Sequence, residues 1–118
     1  VSLPVNIDCF RFTQVISNFL NNANKFTKEG TITLGCKIYK EHQEVCVYVK
    51  DTGKGIDDKE LMMIFDRFYK TDEFEQGSGL GLSICKVIIE RLAGRIEVHS
   101  EVGKGSCFSV ILSLANII

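Results

Sequence analysis

A single proline, Pro4, stands among 118 residues, and 45% of the chain is hydrophobic. A disordered tail or Pro-rich linker is excluded by that balance, and the length suits one compact domain rather than two. No apolar run approaches the roughly 20 residues that a membrane-spanning helix requires. Val1 opens no basic-then-apolar leader, so no signal peptide is expected, and a membrane anchor of any parent protein is expected outside this piece. Charge of one sign is also lacking: 14 basic and 15 acidic residues leave a net charge of -1. Affinity for nucleic acid or for an anionic membrane surface is therefore not expected. The five cysteines, Cys9, Cys36, Cys46, Cys85 and Cys107, are odd in number and have no C-x-x-C spacing. They fall mostly where an apolar residue would serve, which reads as buried free thiols in a reducing compartment rather than a metal site or disulfides.

Apolar periodicity organises the chain. Over 8–25, Phe12, Val15, Ile16, Phe19, Leu20 and Ala23 recur at helical spacing, with Asp8 in N-cap position. Ile32, Leu34, Cys36 and Ile38 alternate over 31–39, and Val45, Val47 and Val49 over 45–50, across a polar turn. These segments predict an antiparallel pair. A short helix capped by Asp57 or Asp58 would carry Leu61, Ile64 and Phe65. The stretch 71–81 is polar and rich in glycine, which predicts mobility. Helical spacing returns over 82–92 through Ile84, Cys85, Ile88, Ile89 and Leu92, with Gly94 as the C-terminal stop. Strands are predicted over 95–102 and 106–114, around a Gly103-Lys104-Gly105 turn. The fold class is α/β, a two-layer sandwich in which the first helix and the helix after Gly81 cover one sheet face.

Three segments carry chemistry. On the first helix, Asn18 and Asn22 lie four apart and Lys25 three beyond, so all share a face. Two amide oxygens beside an ammonium suit a hydrated Mg²⁺ and the phosphates it bridges, because magnesium prefers hard oxygens and few protein ligands. Taken alone, the row reads better as a solvated polar face. Asp51 leaves the end of a strand ahead of Gly53 and Gly55. Its carboxylate could accept from an exocyclic amine such as adenine's, although Asp-x-Gly is also ordinary turn chemistry. The run from Gly77 to Leu82 opens a helix, where free N–H groups and the positive dipole end suit polyphosphate. Its G-x-G-x-G spacing is neither a dinucleotide fingerprint nor a P-loop. Between these, Arg67 and Lys70 could reach phosphate, while Phe65 and Phe68 read as structural.

Together and in this order, these segments resemble the sensor histidine kinases, within the group that also holds gyrase, mismatch-repair and chaperone ATPases. The run from Gln14 to Thr27 resembles the asparagine box and Asp51 to Ile56 the first glycine box. Ile64 to Tyr69 resembles the phenylalanine box and Gly77 to Leu82 the second glycine box. The likeness continues through Gly103 to Ser106 and Phe108, covering nearly the whole chain. It departs at Asn24, where an apolar residue is usual, and at Ser113, where proline often ends the last strand.

The resemblance implies a Bergerat-type sandwich with a mixed β-sheet on about three helices and ATP between sheet-side loops and a lid. It implies Mg²⁺ held by Asn22 and Asn18, and Lys25 near the phosphates. Asp51 would take the adenine amine, with Gly53, Gly55 and Ile56 shaping the pocket. Tyr69, Lys70, Gly77, Ser78, Gly79, Leu80 and Gly81 would complete the ATP contacts from the lid, and Asn22, Lys25 and Arg67 would act in catalysis. The implied reaction passes the ATP γ-phosphoryl group to a histidine on a separate dimerisation hairpin, and from there to a response regulator receiver domain. His42 lies in a polar turn and His99 on a strand, so both read as surface residues and the acceptor histidine is expected elsewhere. The first helix has no glutamate to activate water, which counts against the hydrolytic gyrase and chaperone branch. A monomeric domain is expected, on the cytoplasmic side of an inner-membrane sensor.

Overall fold

The structure is a computed structural model and describes residues 9–65 and 81–113, the side chains of 9 and 10 excepted. Helix α1 (Cys9–Phe26) is followed by strands β1 (Ile32–Tyr39) and β2 (Glu44–Asp51) and the one-turn helix α2 (Asp58–Leu61). Helix α3 (Gly81–Arg91) and strands β3 (Arg95–Glu101) and β4 (Gly105–Ser113) complete the described chain. The sheet order is β1-β2-β4-β3.

All three pairings among the described strands are antiparallel. Over these four strands the sheet is thus antiparallel throughout, whereas the resemblance implied a mixed one. Turns as short as 40–43 and 102–104 can only join antiparallel neighbours. The two-layer α/β sandwich itself is as expected, with α1 and α3 packed on one face.

Why the helices take this face follows from their apolar stripes. Val15, Phe19, Ala23 and Phe26 of α1 are buried, as are Leu82, Cys85, Ile88 and Ile89 of α3. They meet the inward rows Val45 and Val49 of β2 and Phe108, Val110 and Leu112 of β4. Phe19 and Phe108 stack tilted at 5.2 Å between ring centroids. Asn24, where the family pattern prefers an apolar residue, points to solvent and leaves this core untouched.

Three local expectations are corrected. The face shared by Ile32, Leu34, Cys36 and Ile38 is exposed, because β1 is an edge strand lying largely beyond the helix layer. Cys36 is accordingly an exposed thiol, whereas Cys46 and Cys85 are buried and Cys107 is half-buried; all four are free. The left-handed residue that ends α3 is Ala93 (φ 60°), not Gly94. Gly94 serves close packing instead, since a Cβ there would stand 2.6 Å from the Ile111 carbonyl oxygen. Helix α2 is capped by Asp57, whose carboxylate accepts from Glu60 N at 2.8 Å.

Candidate functional site

The sequence-predicted residues are assembled by two elements: the second half of α1 and the loop that follows β2. Helical periodicity carries Asn22 inward beside Ala23, and Asn22 is only 4% exposed. Its Nδ2 donates to Asn18 Oδ1 one turn earlier at 3.3 Å. With its nitrogen so committed, the Asn22 oxygen is the atom left for a ligand, and among the described residues it has no hydrogen-bond donor. An oriented amide oxygen of this kind fits the hard-donor requirement of Mg²⁺. Lys25, half-buried, follows on the same face.

Asp51 ends β2 on the inward face and is 3% exposed. Its Oδ1 accepts from Gly53 N at 2.8 Å, the side-chain turn that Asp-x-Gly sequences favour. Among the described residues, its second oxygen has no partner. A carboxylate oxygen with no second donor among the described residues is a strong acceptor for an incoming N–H. The loop beyond is fixed at several points. Thr52 N donates to Thr31 O at 3.1 Å, continuing the β1–β2 ladder, and Lys54 N donates to Phe26 O at 3.3 Å. Gly53 thereby lies against the C-terminal end of α1, where a Cβ would collide with the Phe26 carbonyl. Gly55 has φ +77°, and a side chain there would run into the Glu101 carbonyl of the β3–β4 turn. Ile56, 2% exposed, belongs to the core.

A concavity of about 680 Å³ opens between these elements, lined by Lys25, Phe26, Lys28, Glu29, Thr52, Gly53 and Lys54. Its three lysines make it electropositive, and Lys54 Nζ lies 5.3 Å from the Phe26 ring centroid. Lys28 and Lys54 were not singled out from the sequence. Lys54 stands inside the Asp51 to Ile56 segment, so a count of cations around the glycines would have found it. Asn22 and Asp51 do not line this concavity.

Gly81 begins α3 against the asparagine pair: a Cβ there would lie 2.6 Å from Asn18 Nδ2. Asn18, Asn22 and Gly81 are thus brought together, as are Asp51, Gly53, Gly55 and Ile56. Arg67, Tyr69, Lys70, Gly77, Ser78, Gly79 and Leu80 lie outside the described residues, as does Asp8. Ser100 and Ser106, which hold the Asp51 loop from the far side, were read from the sequence only as strand and turn. The signal was present, since each continues the inward alternation of Ile96 and Val98, or of Phe108, Val110 and Leu112.

Comparison with known proteins bears on this arrangement. A family model described as "Histidine kinase-, DNA gyrase B-, and HSP90-like ATPase" matches residues 7–116. The sensor protein SrrB of Staphylococcus aureus is 46% identical over 110 residues, covering 89% of this chain and 18% of that protein. The chain therefore spans about a fifth of the length of the curated relatives it matches. Among solved structures, full-length ShkA in complex with AMPPNP superposes with a TM-score of 0.77 at 33% identity, over 86% of this chain and 21% of that one. The catalytic domain of the histidine kinase ThkA, in a nucleotide-free form, gives 0.76 at 31% identity, over 90% and 69%.

Proposed function

We infer, since this chain belongs to the histidine kinase-, DNA gyrase B- and HSP90-like ATPase family, that it is the ATP-binding catalytic domain of a sensor histidine kinase. The whole of 1–118 is one such domain, and the phosphoacceptor hairpin belongs to another part of the parent protein. The named relatives are sensor and histidine kinases, and α1 carries no glutamate that could activate water. Both favour phosphoryl transfer to a histidine over hydrolysis.

The observation that carries the reading is the buried Asp51 residue, with one carboxylate oxygen fixed by Gly53 and the other, among the described residues, without a partner. An adenine amine would donate to that second oxygen, with Gly53, Gly55 and Ile56 walling the base. Lys25 would neutralise phosphate charge, helped by Lys28 and Lys54 around the same concavity. Asn22, oriented by Asn18, would hold Mg²⁺, which when bound neutralises charge developing on the β- and γ-phosphates. Gly81 and the segment before it, with Tyr69, Lys70, Gly77, Ser78, Gly79 and Leu80, would close over the phosphates, and Arg67 would assist transfer. In the reaction the bond from the γ-phosphorus to the β,γ-bridging oxygen breaks, ADP leaves with the electron pair, and a P–N bond forms to an imidazole. The phosphoryl group then passes to a response regulator receiver domain. The isolated chain is a monomer, and its parent holds it on the cytoplasmic side of an inner membrane.

Calorimetric titration with a non-hydrolysable ATP analogue, with and without Mg²⁺, tests the reading. Binding should weaken without Mg²⁺ and in Asp51→Asn, which keeps the shape but replaces a charged acceptor with a neutral amide. No binding at millimolar analogue would sink the kinase reading and leave a partner-binding module in its place.

A further inference from the structure

At the end of the sheet nearest the glycine loop, three neighbouring strands each place a polar residue on the inward face. Asp51 of β2 is the register partner of Ser106 of β4, and Ser106 is the partner of Ser100 of β3. Directly behind them the same faces carry Val49, Phe108 and Val98, all part of or packed on the core. Asp51 and Ser106 are 3% and 4% exposed, so the row sits where an unpaired polar atom is costly.

Ser100 joins everything in this corner. Its Oγ accepts from Ile56 N at 2.7 Å, which anchors the far end of the glycine loop. The same Oγ lies 3.0 Å from Gly105 O and 2.7 Å from Ser106 Oγ. A hydroxyl has one hydrogen to give and two lone pairs to accept with. Gly105 O can only accept, so Ser100 gives its hydrogen there. One lone pair then takes Ile56 N–H, and the other must take the hydrogen of Ser106. Only this assignment satisfies all three contacts. It saturates Ser100 and turns the Ser106 hydrogen away from Asp51, so that Ser106 can only accept on its remaining side. Gly105, at φ +126° and pressed on the Asp51 carbonyl, keeps the hairpin close enough for the network to close.

We propose that Ser100 is a positioning and specificity-determining residue of the nucleotide pocket, fixing the Asp51–Ile56 loop and keeping Asp51 and Ser106 together as an acceptor-only pair that admits a 6-amino purine and repels a 6-oxo purine. The proposal rests on the nucleotide-binding reading above. Ser100 touches no ligand in this scheme; it acts through Ile56 and Ser106. Removing its hydroxyl frees the Ser106 hydrogen to rotate toward the pocket, where it can meet a carbonyl, and releases Ile56 N.

The test is competition calorimetry of the whole chain with non-hydrolysable ATP and GTP analogues, for the unaltered protein, Ser100→Ala and Ser100→Thr. Ser100→Ala should bind the ATP analogue about fivefold to tenfold more weakly, the loss of roughly one buried hydrogen bond. Its preference for ATP over GTP should shrink, and exchange of the Ile56 amide hydrogen should accelerate. Ser100→Thr keeps the hydroxyl in a residue suited to a strand and should restore all three. Equal weakening of both nucleotides, or an unchanged ratio in a folded Ser100→Ala protein, would overturn the proposal. Should Ser100→Ala not fold, Ser106→Ala decides instead: it removes the second acceptor, so the ratio must fall, and an unchanged ratio overturns the proposal. Loss of binding in Asp51→Asn alongside unaltered Ser100→Ala binding would defeat this inference and spare the functional reading. An unaltered chain that binds neither nucleotide would end both.

Discussion

Asn22 donates its side-chain amide hydrogen to Asn18 Oδ1 across one turn of α1, at 3.3 Å. The bond makes the two residues unequal. Asn22 is left with its oxygen oriented and, among the described residues, without a donor, while the oxygen of Asn18 already holds one. Asn22→Ala should therefore abolish the Mg²⁺ dependence of nucleotide binding. Asn18→Ala should weaken it by less, about fivefold, through loss of one orienting hydrogen bond. Titrations of both variants at fixed Mg²⁺ check the order, and an Asn18 defect as deep as that of Asn22 would show that both oxygens ligate equally.

The site depends on the core behind it. Phe19 is 1% exposed and Phe108 3%, and their contact ties the asparagine helix to the strand beside Asp51. Phe19→Ala should cost about 3–5 kcal/mol, a large share of the 5–15 kcal/mol typical of a domain. Denaturant unfolding should show the midpoint falling sharply. Phe19→Leu, which fills most of the volume, should recover much of the loss.

What the sequence made legible was periodic. Alternation and helical spacing located every described element but α2 to within one or two residues, and the i, i+4 step already joined Asn18 to Asn22. Helix α2 stops at Leu61, so Ile64 and Phe65, expected on it, lie in the turn beyond. Alternation tells which residues share a face but not whether a neighbour covers it, and so Ile32, Leu34 and Ile38 looked like core until β1 proved to be an edge. Gly94 drew attention as a helix stop because glycine is the usual left-handed residue, yet Ala93 takes that conformation and Gly94 answers a steric demand from Ile111 that only the tertiary structure creates. The Ser100–Ser106–Ile56 network was hidden for a related reason. Serine near a glycine turn reads as turn chemistry, and the bond to Ile56 spans 44 residues.

The cysteines give a pH prediction with a definite sign. Burial pushes the Cys85 thiol from 9.0 up to about 12. Below pH 9 both folded and unfolded thiols are neutral, and nothing is lost. Between 9 and 12 the unfolded state ionises while the folded state does not, so stability falls as pH rises, by up to about 1.4 kcal/mol per unit. Stability measured against pH should fall more steeply over this window in the unaltered chain than in Cys85→Ala. A thiol-directed maleimide, with peptides mapped by mass spectrometry, should modify exposed Cys36 before the other three described cysteines and reach Cys85 only on unfolding.

The two histidines should carry no phosphate. His42 sits in the β1–β2 turn, at the sheet end where Tyr39 pairs with Glu44, whereas Asp51 pairs with Ile32 at the other end. Seven residue steps of strand lead from Glu44 to Asp51, about 24 Å at the rise of an antiparallel strand. His99 points from the outer sheet face, as the alternation of β3 against inward Val98 and Ser100 requires. Neither imidazole can meet the γ-phosphorus of a nucleotide held between Asn22 and Asp51 on the inner face, and transfer demands reacting atoms about 3–3.5 Å apart. Incubation with γ-labelled ATP should thus leave the chain unlabelled, and a supplied phosphoacceptor hairpin should become labelled at an acid-labile histidine. Acid-labile label on this chain that disappears in His99→Gln would instead mean that phosphoryl transfer reaches the outer face of the sheet.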